Sequence, residues 1–488
     1  MSVNREVKNE VYFALCCIIL LSSGISCNKL VQVPNPISTV TSNQVYSSDA
    51  TATAATMGIY SYMSGNLAFS NSMTTLILGT SADELTDYPS GYERYDLFLS
   101  NNLSALLSSS QIFPDFWQPA YFDIYSANAV ISGLQAPTAN VSSGTKNQLT
   151  GEAKFIRAFC YFYLTNIFGA VPLALTTDFN QTALLYKSSQ AEVYKQIVSD
   201  LLDAQNLMIN DYSLSGGMPI RANRWAATAL LARVYQYLEQ WQSADSAANA
   251  VINSGLFNLV PLPVVPEVPP NINPDSDAFS ANSPEAILQL QSVNSYPFAT
   301  WEGNQFVPAT NNQAPNYWLI PQLTTAFESG DLRWSDWVDS SFDGTYWYYY
   351  PYKYKVNYGS PGSPSAENYT LLRFAEQYLI RAEAEANLNQ LGNAINDVNT
   401  IRNRAGLNSL SQSLTQPQVL DSIQHEYRVE FFAEWGHRWL DIKRWGIAIQ
   451  TLDTIPYKKP NIDSIQLLYP IPISETQTDP NLTQNAGY

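Results

Sequence analysis

Three stretches of the 488-residue chain carry side chains able to do chemistry at close spacing. The first, SADELTDYPSGYERYD, sets Asp83 and Asp87 four residues apart and adds Tyr88, Tyr92 and Arg94 around a Pro-Ser-Gly turn. Two carboxylates held ~5–9 Å apart would serve as general acid and base on a glycosidic bond. The same oxygens, used only as acceptors, would meet hydroxyl donors. The second stretch, 296–318, mixes Trp301, Tyr317 and Trp318 with the amides of Asn304, Gln305, Asn311 and Asn312. Rigid rings offer contact area at little cost in side-chain entropy, and amides beside them supply donors and acceptors. The third is TYWYYYPYKY at 345–354, in which six of ten residues are Tyr and one is Trp, so that some rings must be exposed or touch a partner. Spacing alone leaves catalysis, binding and plain loop packing all open for these segments.

Other reactive types are scarce. Two His (His425, His437) and four Cys are too few for zinc sites or His-based catalysis, so neither a metal nor a cofactor is expected. Glu430 and Glu434 lie one helical turn apart, but they belong to a series of alternating sign: Glu426, Arg428, Glu430, Glu434, Arg438, Asp441 and Arg444 beside Phe431, Phe432, Trp435, Trp439 and Trp445. Burying an unpaired charge is costly, so a lattice of paired charges fixing the last helices is the expected reading. The formal charge is 25 − 42 = −17, which speaks against a nucleic-acid partner.

The N-terminus reads as an address. An apolar run of about eleven residues, VYFALCCIILL, follows Arg5 and Lys8 and gives way to Ser22, Ser23, Gly24 and Ser26 before Cys27. It is too short to span a membrane as a helix. Residues 1–26 are therefore expected to be a signal peptide, with Cys27 the site of lipid attachment. Cys160 would then be the lone thiol of the folded part, where no disulfide is available and core packing must suffice.

The elements that must position the reactive segments are mainly helices. In GEAKFIRAFCYFYLTNIF (151–168) apolar residues recur at helical spacing until Gly169 and Pro172 stop them. Similar stripes predict helices near 46–63, 117–134, 190–208, 223–238, 241–254, 371–389, 391–405 and 417–433, with short strands at 284–292 and 466–473. Two helix pairs carry tetratricopeptide spacing: Ala232 and Ala244 stand twelve apart, with Ala248 following, and Ala382, Ala394 and Ile401 repeat the device. Small residues there let antiparallel helices approach closely. Between the pairs, 258–369 breaks the pattern, opening with PLPVVPEVPPNINP and ending with GSPGSPSAEN. The expected fold is mainly all-α, with tetratricopeptide-like helical hairpins, a long irregular aromatic-rich insertion and few strands.

Seven blocks, in order, resemble the SusD/RagB family of outer-membrane nutrient-binding lipoproteins of Bacteroidetes. They include ISTVTSNQVYSSDATATAATMGIYSYM, GEAKFIRAFCYFYLTNIFGAVPL, LTTAFESGDLRW, HEYRVEFFAEWGHRWLDIKRWG and LYPIPISET. Tyr427 departs from the Arg usual in the Glu-Arg-Arg run. The resemblance implies one domain over 27–488, with helical parts at 28–257 and 370–488 flanking the 258–369 excursion. It implies a lipid-anchored, outward-facing outer-membrane protein without catalysis, which binds an oligosaccharide and passes it to a SusC-like TonB-dependent barrel. Its site would draw on Asp83, Asp87, Tyr88, Tyr92, Arg94, Trp301, Asn304, Tyr317 and Trp318. Rival readings are a glycan-degrading enzyme using Asp83 or Asp87, and a peptide-binding repeat scaffold.

Overall fold

Every predicted helical stripe becomes a helix, because each buries its apolar side against a neighbour of the same kind. The structure is a computed structural model and describes residues 41–65, 69–87, 93–103, 112–264, 272, 277–292, 297–363 and 365–488; the side chains of 93–95 and 112–115 are outside that description. The signal peptide and Cys27 therefore lie outside the described residues. Residues Met1–Val45 form one unit, of which the described part is a short helix, Ser42–Val45. Residues Tyr46–Tyr488 form the other.

Among the described residues nine helices run to twelve residues or more: α1 (Asp49–Gly65), α2 (Ile112–Gln135), α3 (Ser143–Phe168), α4 (Gln190–Leu207), α5 (Arg224–Tyr237), α6 (Trp241–Ile252), α7 (Phe374–Asn387), α8 (Leu391–Arg404) and α9 (Gln416–Glu430). Their ends follow local chemistry. Ser189 and Glu192 form a capping box on α4, and Asn223 caps α5 by accepting from the backbone N–H groups of Trp225 and Ala226. Helix α3 stops at Gly169, whose φ of +78° favours glycine. It starts at Ser143, earlier than the stripe beginning at 151 suggests, because its first turns are polar.

The small residues at tetratricopeptide spacing do what their size predicts. Ala232, Ala244 and Ala248 share a buried seam with Ile380 and Ala384 of α7. Ala382, Ala394 and Ile401 lie in the neighbouring core with Val419 and Ile423 of α9. The charge series likewise forms a buried lattice. Glu430 accepts from Arg333, Arg373 and Arg404, Glu426 from Arg333 and Arg402, and Glu434 from Lys353 and Arg373. Burial would raise the Glu430 carboxyl, yet Arg404, Arg373 and Arg333 outweigh it and hold the group well below the usual carboxylate range. An acid–base pair at Glu430 and Glu434 is thus replaced by structural ion pairing. His437 is buried against Phe431, with ring centroids 4.8 Å apart, and Tyr427 takes a hydrogen bond from Gln236 at 2.9 Å.

Among the described residues eight short strands make four antiparallel pairs: β1 (Leu85–Asp87) with β5 (Tyr317–Leu319), β2 (Val171–Pro172) with β3 (Lys187–Ser188), β4 (Ala286–Leu290) with β8 (Tyr369–Arg373), and β6 (Val338–Phe342) with β7 (Trp347–Pro351). The excursion at 258–369 is therefore less irregular than its sequence suggests, since β4 to β7 lie inside it. The strand expected at 466–473 does not form. Ser464–Leu467 is a 3-10 turn, and the Pro-rich stretch beyond it docks through a hydrogen bond from the Tyr469 N–H to the Ile167 carbonyl (2.9 Å). Among the described residues no helix is long and apolar enough to cross a membrane.

Candidate functional site

The first two reactive segments, more than two hundred residues apart in sequence, meet as neighbouring strands. In the β1–β5 ladder Leu85 faces Leu319, Thr86 faces Trp318 and Asp87 faces Tyr317. A further hydrogen bond from the Ile320 N–H to the Glu84 carbonyl (3.0 Å) extends the pairing. The short helix Trp301–Phe306 packs against β5. Thr300 caps it by accepting from the Gly303 N–H at 3.1 Å. Gly303 lies so close to strand-flanking backbone that an added Cβ would stand 2.3 Å from the Val356 carbonyl oxygen. Asn304 donates to the Asn357 carbonyl at 3.2 Å, and Asn357 returns a hydrogen bond to the Val307 carbonyl. Trp301 and Asn304, three apart, occupy one side of this helix and are half-buried.

The third segment continues the surface. Trp318 sets its ring edge-on to Tyr348 of β7, with centroids 4.9 Å apart and planes at 74°. The β6–β7 hairpin sorts its rings by strand alternation. Tyr348 and Tyr350 turn inward and donate to Asp343 and Asp339 at 2.8 and 3.0 Å. Phe342, Trp347 and Tyr349 turn outward, and Trp347 is 62% exposed. Phe342 and Trp347 are cross-strand partners with centroids 5.2 Å apart, while Tyr349 packs beside Trp334 at 5.3 Å. The Phe342 N–H donates to the Asn311 carbonyl at 3.1 Å, which brings the loop bearing the exposed amides of Asn311, Asn312 and Asn316 to the edge of this ring surface.

Not every expected residue is available to a ligand. Asp83 is buried and its two oxygens take hydrogen bonds from Arg438 (2.6 and 3.0 Å) and Arg428 (2.7 Å), so it is a structural anchor and neither an acid–base group nor a ligand contact. Tyr317 is buried as well, so its part is in the ladder and its ring is closed to a stacking partner. Tyr88 and Tyr92 lie outside the described residues, as does the Arg94 side chain. Asp87 sits at the end of β1, and its Oδ1 has no hydrogen-bond partner among the described residues. Burial first, and then repulsion from Asp96, pushes its carboxyl up to about 6. Beneath the ladder Glu84 is pushed up to about 8 by burial and then by Asp83, and Glu302 to about 8 by burial.

A large cavity lies elsewhere, and no expected site residue lines it. It encloses about 1070 Å³ between Met57 and Tyr60 of α1, Met218, Asn282, Gln291 and Phe298. Charge is nearly absent from its walls, since Arg221 is paired with the buried Glu152. Its wall residues come from four separate segments with no shared period, so the sequence carries no local signal for it.

Two family profiles match successive parts of the chain: one described as "Starch-binding associating with outer membrane" over 37–236, and one described as "SusD family" over 295–488. The chain belongs to the SusD/RagB family. Among SusD/RagB relatives, SusD-like protein P2 of Formosa agariphila is 26% identical over 529 aligned positions, covering 98% of this chain and 99% of its own. A SusD superfamily protein of Bacteroides thetaiotaomicron shares the fold at a TM-score of 0.74 and 23% identity, covering 90% of this chain and 99% of that one. Surface glycan-binding protein A of the same organism, solved in complex with laminarihexaose, gives a TM-score of 0.72 at 18% identity over 90% of this chain and all of that one. The mainly helical SusD/RagB fold expected from sequence is thus the one present, with the β1–β5 and β6–β7 pairs set on it.

Proposed function

We propose that this chain binds an oligosaccharide without cleaving it, on the surface formed by β1–β5, the Trp301–Phe306 helix and the β6–β7 hairpin. The carrying observation is the ring surface that the β1–β5 pairing helps to assemble, with Trp318 of β5 set against Tyr348 and the hairpin's outward rings beyond. Sugar rings present patches of C–H that stack on aromatic faces, each worth ~0.5–1.5 kcal/mol beyond burial. The neighbouring exposed amides of Asn311, Asn312 and Asn316 supply partners for hydroxyls. The glycan named for a relative of the same fold, and the starch-binding description of the N-terminal profile, support the ligand class. The commitment of Asp83 to two guanidinium groups supports binding over hydrolysis, because it removes one member of the Asp83–Asp87 pair on which the hydrolytic reading rests.

In this reading residues 1–26 are removed, Cys27 carries lipid at the outer membrane, residues 27–488 act as one domain, and the bound glycan passes to a TonB-dependent barrel. The test is retention of immobilised glycans by the mature chain, with Kd in the micromolar to millimolar range, ~4–8 kcal/mol. Trp318→Ala combined with Trp347→Ala is expected to abolish retention, and no reducing ends are expected on long incubation. Steady hydrolysis lost in Asp87→Asn would move the protein to the enzyme class.

A further inference from the structure

Apolar side chains stand open on a second part of the fold, away from any strand of the candidate site. Phe122 and Tyr125 are exposed on α2, and Leu175, Phe179, Leu184 and Tyr186 are exposed on the excursion that joins β2 to β3. Phe179 is 77% exposed and Tyr186 71%. Two hydrogen bonds lay the start of that excursion along the stretch of α2 bearing the other two rings: Tyr121 Oη donates to the Pro172 carbonyl (2.7 Å) and Asn128 Nδ2 to the Ala174 carbonyl (3.0 Å). The β2–β3 register, with Pro172 opposite Lys187, returns Tyr186 to the same end. Contiguous apolar surface of this kind marks a contact face in soluble proteins.

Charge and chain length narrow the occupant. Neither 112–135 nor 173–186 contains a single Lys or Arg. The Asp178 carboxylate is engaged in capping its own short helix, accepting from Asn180 and Gln181. A surface that held anionic lipid headgroups would need several cations, at about 1 kcal/mol each, and the one at the border of these segments, Lys187, is half-buried and donates to Asn485 at 3.1 Å. Depletion of charge with enrichment in aromatic rings is the composition of a protein–protein contact. The unit Tyr46–Tyr488 also begins here. Tyr46 is buried against α2, where an added Cβ on Gly133 would stand 1.9 Å from its ring, and its hydroxyl donates to the Ala129 carbonyl at 3.1 Å. Ala129 is one helical turn beyond Tyr125, a rise of ~6 Å. From Cys27 to Tyr46 the chain can reach at most ~65 Å. Resting on the reading above, a lipid on Cys27 keeps this face near the membrane and raises its effective concentration toward anything embedded there.

We infer that the face made by Phe122, Tyr125 and the 175–186 excursion docks on an uncharged, apolar rim of a membrane-embedded protein, the barrel of the proposed function. The test uses the full lipid-tethered chain, purified from native membranes in mild detergent, with the co-purifying barrel identified by mass spectrometry. Wild type is expected to recover barrel at equal stoichiometry. Phe179→Ser with Tyr186→Ser is expected to lower that recovery roughly tenfold or more, while glycan retention and the unfolding midpoint stay unchanged. Recovery by the double variant at the wild-type ratio overturns the docking face and leaves the delivery reading standing. Absence of barrel from wild type overturns the delivery reading and the face with it. With the Cys27→Ala chain, two further results would overturn it by assigning the face elsewhere. One is flotation with phosphatidylethanolamine–phosphatidylglycerol vesicles, the other a sedimenting dimer, each lost in the double variant.

Discussion

Arg438 grips Asp83 with two hydrogen bonds, Nε to Oδ1 at 2.6 Å and Nη2 to Oδ2 at 3.0 Å, across 355 residues of sequence. The pair ties the approach to β1 to the helix His437–Arg444, so the wall of the candidate site is held by the C-terminal charge lattice. Removing one member of a buried pair leaves the other uncompensated.

Arg438→Ala is expected to destabilise the fold by about 3 kcal/mol, the lower part of the usual range because Arg428 still reaches Asp83 at 2.7 Å. Urea unfolding followed by tryptophan fluorescence measures it. Arg438→Lys should recover little, since a lysine cannot supply the two-pronged donor. A midpoint unchanged from wild type in Arg438→Ala would show that the pair is not what holds β1.

Trp347→Ala and Tyr349→Ala remove outward rings that support little packing, so their unfolding midpoints should match wild type. Each is expected to weaken glycan retention by ~0.5–1.5 kcal/mol, a two- to tenfold rise in Kd read by affinity electrophoresis. Phe298→Ala, in the wall of the separate 1070 Å³ cavity, should leave retention unchanged. The reverse pattern would move the sugar site to that cavity.

Gly303→Ala tests the seating of the Trp301–Phe306 helix. Its new Cβ would meet the Val356 carbonyl at 2.3 Å, a backbone atom that cannot rotate away. The helix must shift, with a stability loss of ~1–3 kcal/mol and weaker glycan retention, because Trp301 and Asn304 move with it. Isothermal titration beside thermal melts would separate the two effects.

Glu84 has a raised folded pKa, so its contribution works against stability as the pH climbs. Below its unfolded value, about 4.3, the acid is protonated in both states and neutral in effect. Between there and its folded value of about 8 the unfolded chain ionises first, and stability is lost progressively until both forms ionise alike. Glu84→Gln removes the titration. The variant should match wild type at acid pH and exceed it by roughly 4 kcal/mol at pH 8. A constant difference across that window would mean Glu84 ionises in the fold as easily as in water.

The helices are legible in the sequence because their contacts are local: a stripe at helical spacing needs only its own neighbours in the chain, and the nine long helices fall on the nine stripes. The small-residue seams at Ala232, Ala244, Ala382 and Ala394 are legible for the same steric reason. The paired-charge lattice is legible in kind, because buried charge demands partners, though Arg333, Lys353 and Arg373 come from outside the series. What sequence leaves open is decided by contacts between distant segments. Asp83 and Asp87 stand four apart in one stretch, yet Asp83 is consumed by two arginines and Asp87 reaches the edge of a strand. The pairing of β1 with β5 rests on backbone hydrogen bonds, which carry no side-chain signature. Which rings of the 345–354 run face water follows from the hairpin register, since a shift of one residue exchanges the two faces.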